Sequence, residues 1–254
     1  MKTARGKYQG VLQIIRFNWP MYVAAVAVLA AGSAVASAAP LPVPGRATIF
    51  TVLSLAAFWL VLSLLVSHYV YDRSALYAGH WLLPALGNSP ARYATLHVGL
   101  DEFSEILKEK FPWADGSVID FFDATEMTEA SIQRARREHA RDLPTAIRAD
   151  SRALRFRDNE FDAVFLIFAA HELRRPASRQ ELLRELRRTL KPGGKIVLVE
   201  HLRDLANFLA FGPGFLHFHS RTEWLRNIAA ANLSVVHEFR FTPFVRVLFL
   251  GKKA

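Results

Sequence analysis

The sequence predicts an α/β protein, a doubly wound and mainly parallel sheet preceded by two transmembrane helices. Three observations carry this. Two uncharged apolar runs, Met21 to Ala39 and Ile49 to Val70, are each long enough to cross a bilayer as a helix. From Tyr93 onward, strand-like and helix-like patterns alternate, as a parallel sheet with crossover helices requires. Lys191-Pro-Gly-Gly194 stands between an amphipathic helix and an aliphatic strand, where glycine ends a helix and proline cannot continue one.

The chain has 254 residues, room for one ordinary domain plus an appendage. Hydrophobic residues make up 52% of it and the formal charge is +9. An apolar chain with a basic excess suits a membrane protein facing an anionic leaflet. No basic run is interleaved with aromatics, so no nucleic-acid partner is expected. Arg184, Arg187 and Arg188 share helical spacing with Glu181 and Glu185 and read as a solvated helix face. The chain has no cysteine, which excludes disulfides, thiol nucleophiles and thiolate metal sites.

The two apolar runs are separated by Pro40-Leu-Pro-Val-Pro-Gly-Arg46, a turn that no helix passes through unbroken, so the pair reads as a hairpin. Lys2, Arg5, Lys7 and Arg16 precede the first run, whereas the turn carries only Arg46. The positive-inside rule then places both flanks in the cytoplasm. Trp19, Tyr22, Tyr69 and Tyr71 fall near the cytoplasmic ends, where amphipathic rings favour the interface. The competing reading is a signal peptide cleaved after Ala36-Ser-Ala38; the polar leader and the second span weigh against it. The expected organisation is a cytoplasmic segment at 1–20 and a hairpin at 21–70, with spans 21–39 and 49–70. An interfacial linker at 71–92 and a globular domain at 93–254 follow. The stretch from Tyr8 to Phe17 is weakly amphipathic and could lie on a membrane surface.

Between Thr145 and Glu200 the chain spells a strand, an acidic turn at Asp150, a second strand at Ala163 to Phe168 and His171-Glu172. An amphipathic helix around Glu181, the Lys-Pro-Gly-Gly turn and a third strand ending at Glu200 complete the series. In order, spacing and residue type this resembles the C-terminal half of class I S-adenosylmethionine (SAM) dependent methyltransferases of the type 11 kind. The resemblance implies a seven-stranded sheet, SAM as cofactor and a binding rim at the carboxyl ends of the strands. It implies a cofactor loop after the first strand, Ala94 to Val98, where the family usually runs acidic-x-Gly-x-Gly-x-Gly. Here His97 takes the acidic position, Gly99 is retained, and Asp101 and Phe103 stand at the later glycines. Asp101 or Glu102 is a candidate for the cofactor's ammonium group, against a helix-capping role for both. The second strand, Ser117 to Phe122, ends in Asp123, the implied acceptor for the ribose hydroxyls, with Asp120 as the neighbouring candidate. Asp150 matches the acceptor for the adenine amino group. Ser151 supplies a backbone N–H to the ring, and Phe168 closes the set of implied cofactor contacts.

Methyl transfer is an in-line displacement that needs alignment and, for a hydroxyl or ammonium acceptor, removal of a proton. Histidine suits proton removal near neutrality. His171 is the first candidate, His201 the second, and Glu172 stands beside the former. His217 and His219 with His171 suggest a metal, but no third ligand at known spacing is evident and none is assigned. The function expected is a membrane-anchored SAM-dependent methyltransferase in a bacterial inner membrane, two-pass, with its catalytic domain cytoplasmic. Its partners would be the lipid bilayer and a lipophilic small-molecule acceptor such as a quinone precursor. The alternative is a non-catalytic methyltransferase-like module in a membrane complex. The sequence does not fix the oligomeric state.

Overall fold

The computed structural model describes residues 6–139 and 146–253. Lys2, Arg5 and Thr145, used above, lie outside the described residues. The chain divides into two compact units, Met1–Arg73 with Leu205–Phe215, and Ser74–Asp204 with Leu216–Ala254. The segment 71–92, expected as a linker, is therefore split at Arg73, and Leu205–Phe215 groups with the helical unit.

The helical unit opens with α1 (Gln9–Phe17), followed by α2 (Trp19–Ala38) and α3 (Val43–His68). Pro20 sits in the first turn of α2 and Pro44 in that of α3, where a missing N–H costs nothing. Both long helices start earlier than the bare apolar runs, because uncharged Trp19 and Pro-Gly-flanked Val43 extend them. Twenty residues at 1.5 Å each give α2 a length of about 30 Å. Gly32 lets the two helices approach, since a Cβ there would lie 2.9 Å from Leu53 Cδ2. After α3 the chain widens into a π-turn, Tyr69–Arg73. It carries Asp72, whose oxygens accept from the free N–H groups of Gly10 (2.6 Å) and Val11 (3.0 Å) at the start of α1. His68 Nδ1 lies 2.9 Å from the same carboxylate. The apolar α8 (Leu205–Phe211) lies on α3, where Trp59 Nε1 donates to Leu209 O at 3.1 Å.

The second unit is a seven-stranded sheet in the order β3-β2-β1-β4-β5-β7-β6. Its strands are β1 (Arg92–His97), β2 (Asp115–Asp120), β3 (Ile147–Arg148), β4 (Phe161–Ile167), β5 (Leu190–His201), β6 (Leu233–Thr242) and β7 (Val245–Lys252). The first five pair in parallel, and β7 inserts antiparallel between β5 and β6. Strand order reverses between β1 and β4, the switch point where sheets of this kind open a crevice at the carboxyl ends. The central strands are aliphatic on both faces because helices cover both: Leu96, Val164, Leu166, Ile196 and Leu198 are fully buried. Leu182, Leu183 and Leu186 of α7 (Pro176–Thr189) and Trp224 and Ile228 of α9 (Arg221–Ala230) complete that core. Two short helices, α4 (Leu82–Leu86) and α5 (Ser104–Lys110), and α6 (Ala130–Glu138) fill out the unit.

Lys-Pro-Gly-Gly ends α7 as expected but lies inside β5, as a bulge between the Leu190–Phe161 and Lys195–Ala163 pairs. Gly193 has φ +78°, and a Cβ on Gly194 would meet Asp162 O at 2.9 Å. The second strand starts and ends two residues before its sequence-based bounds. Asp120, not Asp123, therefore closes it.

Candidate functional site

At the carboxyl end of β1 the chain turns at Gly99, whose φ of +148° suits glycine. His97 Nδ1 accepts from Gly99 N–H at 3.2 Å. Burial holds His97 below the ordinary histidine range, so the ring at the usual acidic position is neutral. Beside the loop lies Arg136 of α6. Its guanidinium forks onto Asp120 (2.9 and 2.8 Å), donates to Val98 O (2.9 Å) and lies over the Phe122 ring at 4.1 Å. Its Cγ stands 2.3 Å from where a Cβ on Gly99 would be. Asp120 is 2% exposed. Burial works to raise its pKa, but Arg136 and the Phe122 N–H overcome that and hold it below the usual carboxylate value.

Asp101 accepts from the N–H groups of Phe103 (3.2 Å) and Ser104 (3.0 Å), and so caps α5. Glu102 accepts from Tyr77 O–H at 3.0 Å. Phe103 is buried against Tyr77 and Trp81. Neither side chain at the two substituted glycine positions is the one that lies against Gly99; Arg136 is.

Asp123 and Asp150 are solvent-facing after β2 and β3. Asp123 Oδ1 folds back on Thr125, accepting from its N–H (2.8 Å) and O–H (2.7 Å). Asp150 accepts from Arg152 N–H (2.9 Å) and Nε (3.1 Å). These hydrogen bonds hold both carboxyls below the usual range, so both are ionised acceptors. Ser151 is buried behind them.

The other half of the rim is built on β4 and β5. Phe168 leaves β4 with φ +50°, a strained value for a bulky residue, and its N–H is held by Val199 O at 2.9 Å. Its ring stacks on His201 (5.0 Å, 19°), which stacks in turn on Phe218 (4.9 Å, 25°). His201 is buried in that stack, with Nδ1 2.9 Å from Phe244 O. The next turn, Ala170–Glu172, is clamped from β5 by Glu200, which is 0% exposed. Glu200 Oε1 accepts from Ala170 N–H (3.0 Å) and His171 N–H (3.2 Å), and Oε2 lies 2.7 Å from His171 Nδ1. On the far side of the ring, Nε2 is 3.3 Å from Glu172 Oε1. Burial favours neutral His171, but the carboxylates of Glu200 and Glu172 outweigh it and raise its pKa well above the ordinary value. His217 Nε2 lies 4.0 Å from Glu172 Oε1 and its Nδ1 is 2.9 Å from Glu129 Oε1. His219 faces another way. Its Nε2 lies 2.9 Å from Arg179 Nη1, and burial together with that guanidinium pushes its pKa down to about 4.

Residues 100–198 match the family model described as "Methyltransferase domain". Over that stretch the chain is similar to methyltransferase domains of class I. The relatives it matches include quinone methyltransferases. A demethylmenaquinone methyltransferase of Thermus thermophilus is 38% identical over 117 residues, 46% of this chain and 50% of that one. A ubiquinone/menaquinone biosynthesis C-methyltransferase of a Ruegeria species is 31% identical over 120 residues, covering 47% and 45% of the two chains. The chain spans about half the length of these relatives. Among solved structures, a SAM-dependent methyltransferase from Aquifex aeolicus superposes with TM-score 0.52 at 18% identity, over 71% of this chain and 94% of that one. That likeness speaks for the fold.

Methyltransferase domains of this class use SAM, and the rim fits it unevenly. Asp123 and Asp150 are ionised acceptors, the kind of group that ribose hydroxyls and an adenine amino group require. Beside Gly99 the fit fails while Arg136 lies there, because not even a Cβ has room. A ligand group beside Gly99 would require the Arg136 side chain to swing away from its stem upward. The sequence brought His171, Glu172 and His201 to one rim but gave no sign of Arg136, Glu129 or the clamping role of Glu200. Arg136 sits mid-helix among other arginines, and only the three-dimensional pairing with Asp120 singles it out.

Proposed function

We propose that this methyltransferase domain is catalytic, bilayer-anchored and directed at a lipophilic small acceptor of the quinone-precursor class. The observation that carries the acceptor class is the run of quinone methyltransferases among its relatives. The helical unit supports anchoring. Val23, Val26, Val28 and Val35 of α2, and Val52, Leu55, Phe58, Val61 and Leu65 of α3, point outward on helices long and apolar enough to span a membrane. Such a surface is unfavourable in water and ordinary in hydrocarbon. The basic flank at Lys7 and Arg16, with Arg46 alone in the turn, favours a cytoplasmic domain.

SAM supplies an electrophilic methyl group when bound. The chain's part is positional. Asp123 and Asp150 hold the adenosine by accepting its hydrogen bonds, with Ser151 offering a backbone N–H. Glu200 fixes the turn that carries His171 and Glu172. Ionised Glu172 is the group placed to receive a proton from an acceptor hydroxyl, whereas His171, its pKa raised against burial by the two carboxylates, already carries one. His201 serves as part of the aromatic stack and not as a base, since it is buried there with Nδ1 held at the Phe244 carbonyl.

Transfer of labelled methyl from SAM, by full-length protein in lipid nanodiscs, tests this reading. A long-chain demethylnaphthoquinol should be methylated in preference to a short-chain soluble analogue. Methylation of soluble acceptors alone would remove the lipophilic assignment. A second reading, a non-catalytic module, is favoured by Arg136 filling the space beside Gly99. Folded protein that binds no SAM, with or without Arg136, would establish it.

A further inference from the structure

The rim also holds a cluster of side chains of metal-ligating types, which bears on the site beyond any proton transfer by Glu172. His171 Nε2 and His217 Nε2 converge on one carboxylate oxygen, Glu172 Oε1, at 3.3 and 4.0 Å. The three residues can present ligand atoms all within 4.8 Å of one another. Ligands of a tetrahedral ion with bonds near 2.0–2.1 Å stand roughly 3.3 Å apart, so one contact already has that spacing. The other needs a small rotation of His217, whose ring is partly open to solvent.

The outer partners make this more than a cluster. Each histidine has its Nδ1 against a second carboxylate, His171 on Glu200 at 2.7 Å and His217 on Glu129 at 2.9 Å. A carboxylate on Nδ1 fixes the tautomer that leaves Nε2 as a lone-pair donor, which is how metal-binding histidines are usually supported. Arg174 ties the two histidine backbones together, Nη1 lying 2.5 Å from His217 O and 3.4 Å from His171 O. Glu172 Oε2 is buried with no hydrogen-bond partner among the described residues, an expensive state that a cation would relieve. Three carboxylates, Glu129, Glu172 and Glu200, face two imidazoles, and Arg174 is the cation beside them.

We propose that His171, Glu172 and His217 bind a divalent first-row transition ion of the zinc type, with Glu200 and Glu129 orienting the two rings. Two imidazoles and one carboxylate form the donor set of open zinc sites, which keep a fourth position for an exchangeable ligand. The oxygen of a small acceptor is the class of ligand that would take that position. His219, two residues from His217, is not part of the site because its Nε2 is taken by Arg179.

Metal content and affinity test this without reference to methyl transfer, so failure of the enzyme reading leaves the test intact. Full-length protein in detergent, stripped by a chelator, is titrated with Zn2+ against a chromophoric competitor, and bound metal is counted by mass spectrometry. One ion per chain is expected. Glu172→Gln and His217→Asn should each weaken binding at least about a hundredfold, and Glu129→Gln about ten- to hundredfold. His237→Asn, on β6 outside the cluster, should leave it unchanged. Circular dichroism confirms folding of each variant, and the partly exposed His217 decides the matter if Glu172→Gln unfolds. Sub-stoichiometric binding by folded wild type, or unchanged affinity in His217→Asn, overturns the proposal.

Discussion

The guanidinium of Arg136 forks onto the carboxylate of Asp120 at the end of β2, while the stem of the same side chain fills the space beside Gly99. A bidentate, nearly buried pair of this kind is costly to half-remove, because the survivor is left charged and unpartnered. On the proposed reading, the cofactor's amino-acid end would enter beside the same pair. Structural stability and cofactor access are therefore set against each other at Arg136.

Asp120→Asn should lower stability at neutral pH by about 3 kcal/mol. The sign with pH follows from Asp120 titrating lower folded than unfolded. Its contribution is complete above the ordinary aspartate pKa of about 3.9 and is lost as pH falls through the folded value. Denaturant melts of wild type and variant should therefore converge in acid, below about pH 4.

Arg136→Ala should tighten SAM binding about tenfold, equivalent to about 1.4 kcal/mol, by removing the Cγ and Cδ that lie against Gly99. Isothermal titration on both proteins reads this directly. Equal affinities would show that Arg136 does not stand in the cofactor's way.

Asp150→Ala should weaken SAM binding about tenfold while leaving the melting temperature almost unchanged. The carboxylate is half-exposed, and its ion pair with Arg152 is a surface contact of little value to the fold. Loss of stability without loss of binding would instead make Asp150 a turn-forming residue alone.

Gly193→Ala should destabilise by about 1 kcal/mol although its Cβ would touch nothing within 4 Å, since φ +78° alone imposes the strain. Gly194→Ala should cost more, because there the Cβ collides with Asp162 O. Thermal melts of the pair separate backbone strain from steric exclusion.

Asp72→Ala should release the N-terminus of α1, which takes two of its caps from that carboxylate, at a cost of about 1–2 kcal/mol. Faster amide exchange at Gly10 and Val11, with α2 and α3 unaffected, is the expected signature.

Much of the architecture could be read from the sequence because the signals were local. Uncharged runs marked α2 and α3, aliphatic runs marked β4 and β5, and Lys-Pro-Gly-Gly fixed the end of α7. The end of β2 was harder. In Val118-Ile-Asp-Phe-Phe122 apolar residues continue past Asp120, and only pairing with β1, which ends at His97 opposite Asp120, stops the strand. That two-residue shift turned Asp120 from a neighbouring candidate into the residue at the strand end. The site was legible as a set of strand-end residues, His171, Glu172, His201 and Asp150. Of their partners His217 was named beside His171, but Glu129 and Arg136 were not, because they reach the rim from distant segments. The capping role of Asp101 was one of two readings open from the sequence, and the hydrogen bonds to Phe103 and Ser104 are those of the cap.

Direct SAM titration into full-length protein in nanodiscs, beside Arg136→Ala, is the most direct test. The account predicts saturable one-to-one binding that tightens in the variant. Two folded proteins that both leave SAM in solution would contradict it, and would mark this sheet as a scaffold whose cofactor cleft has been permanently filled.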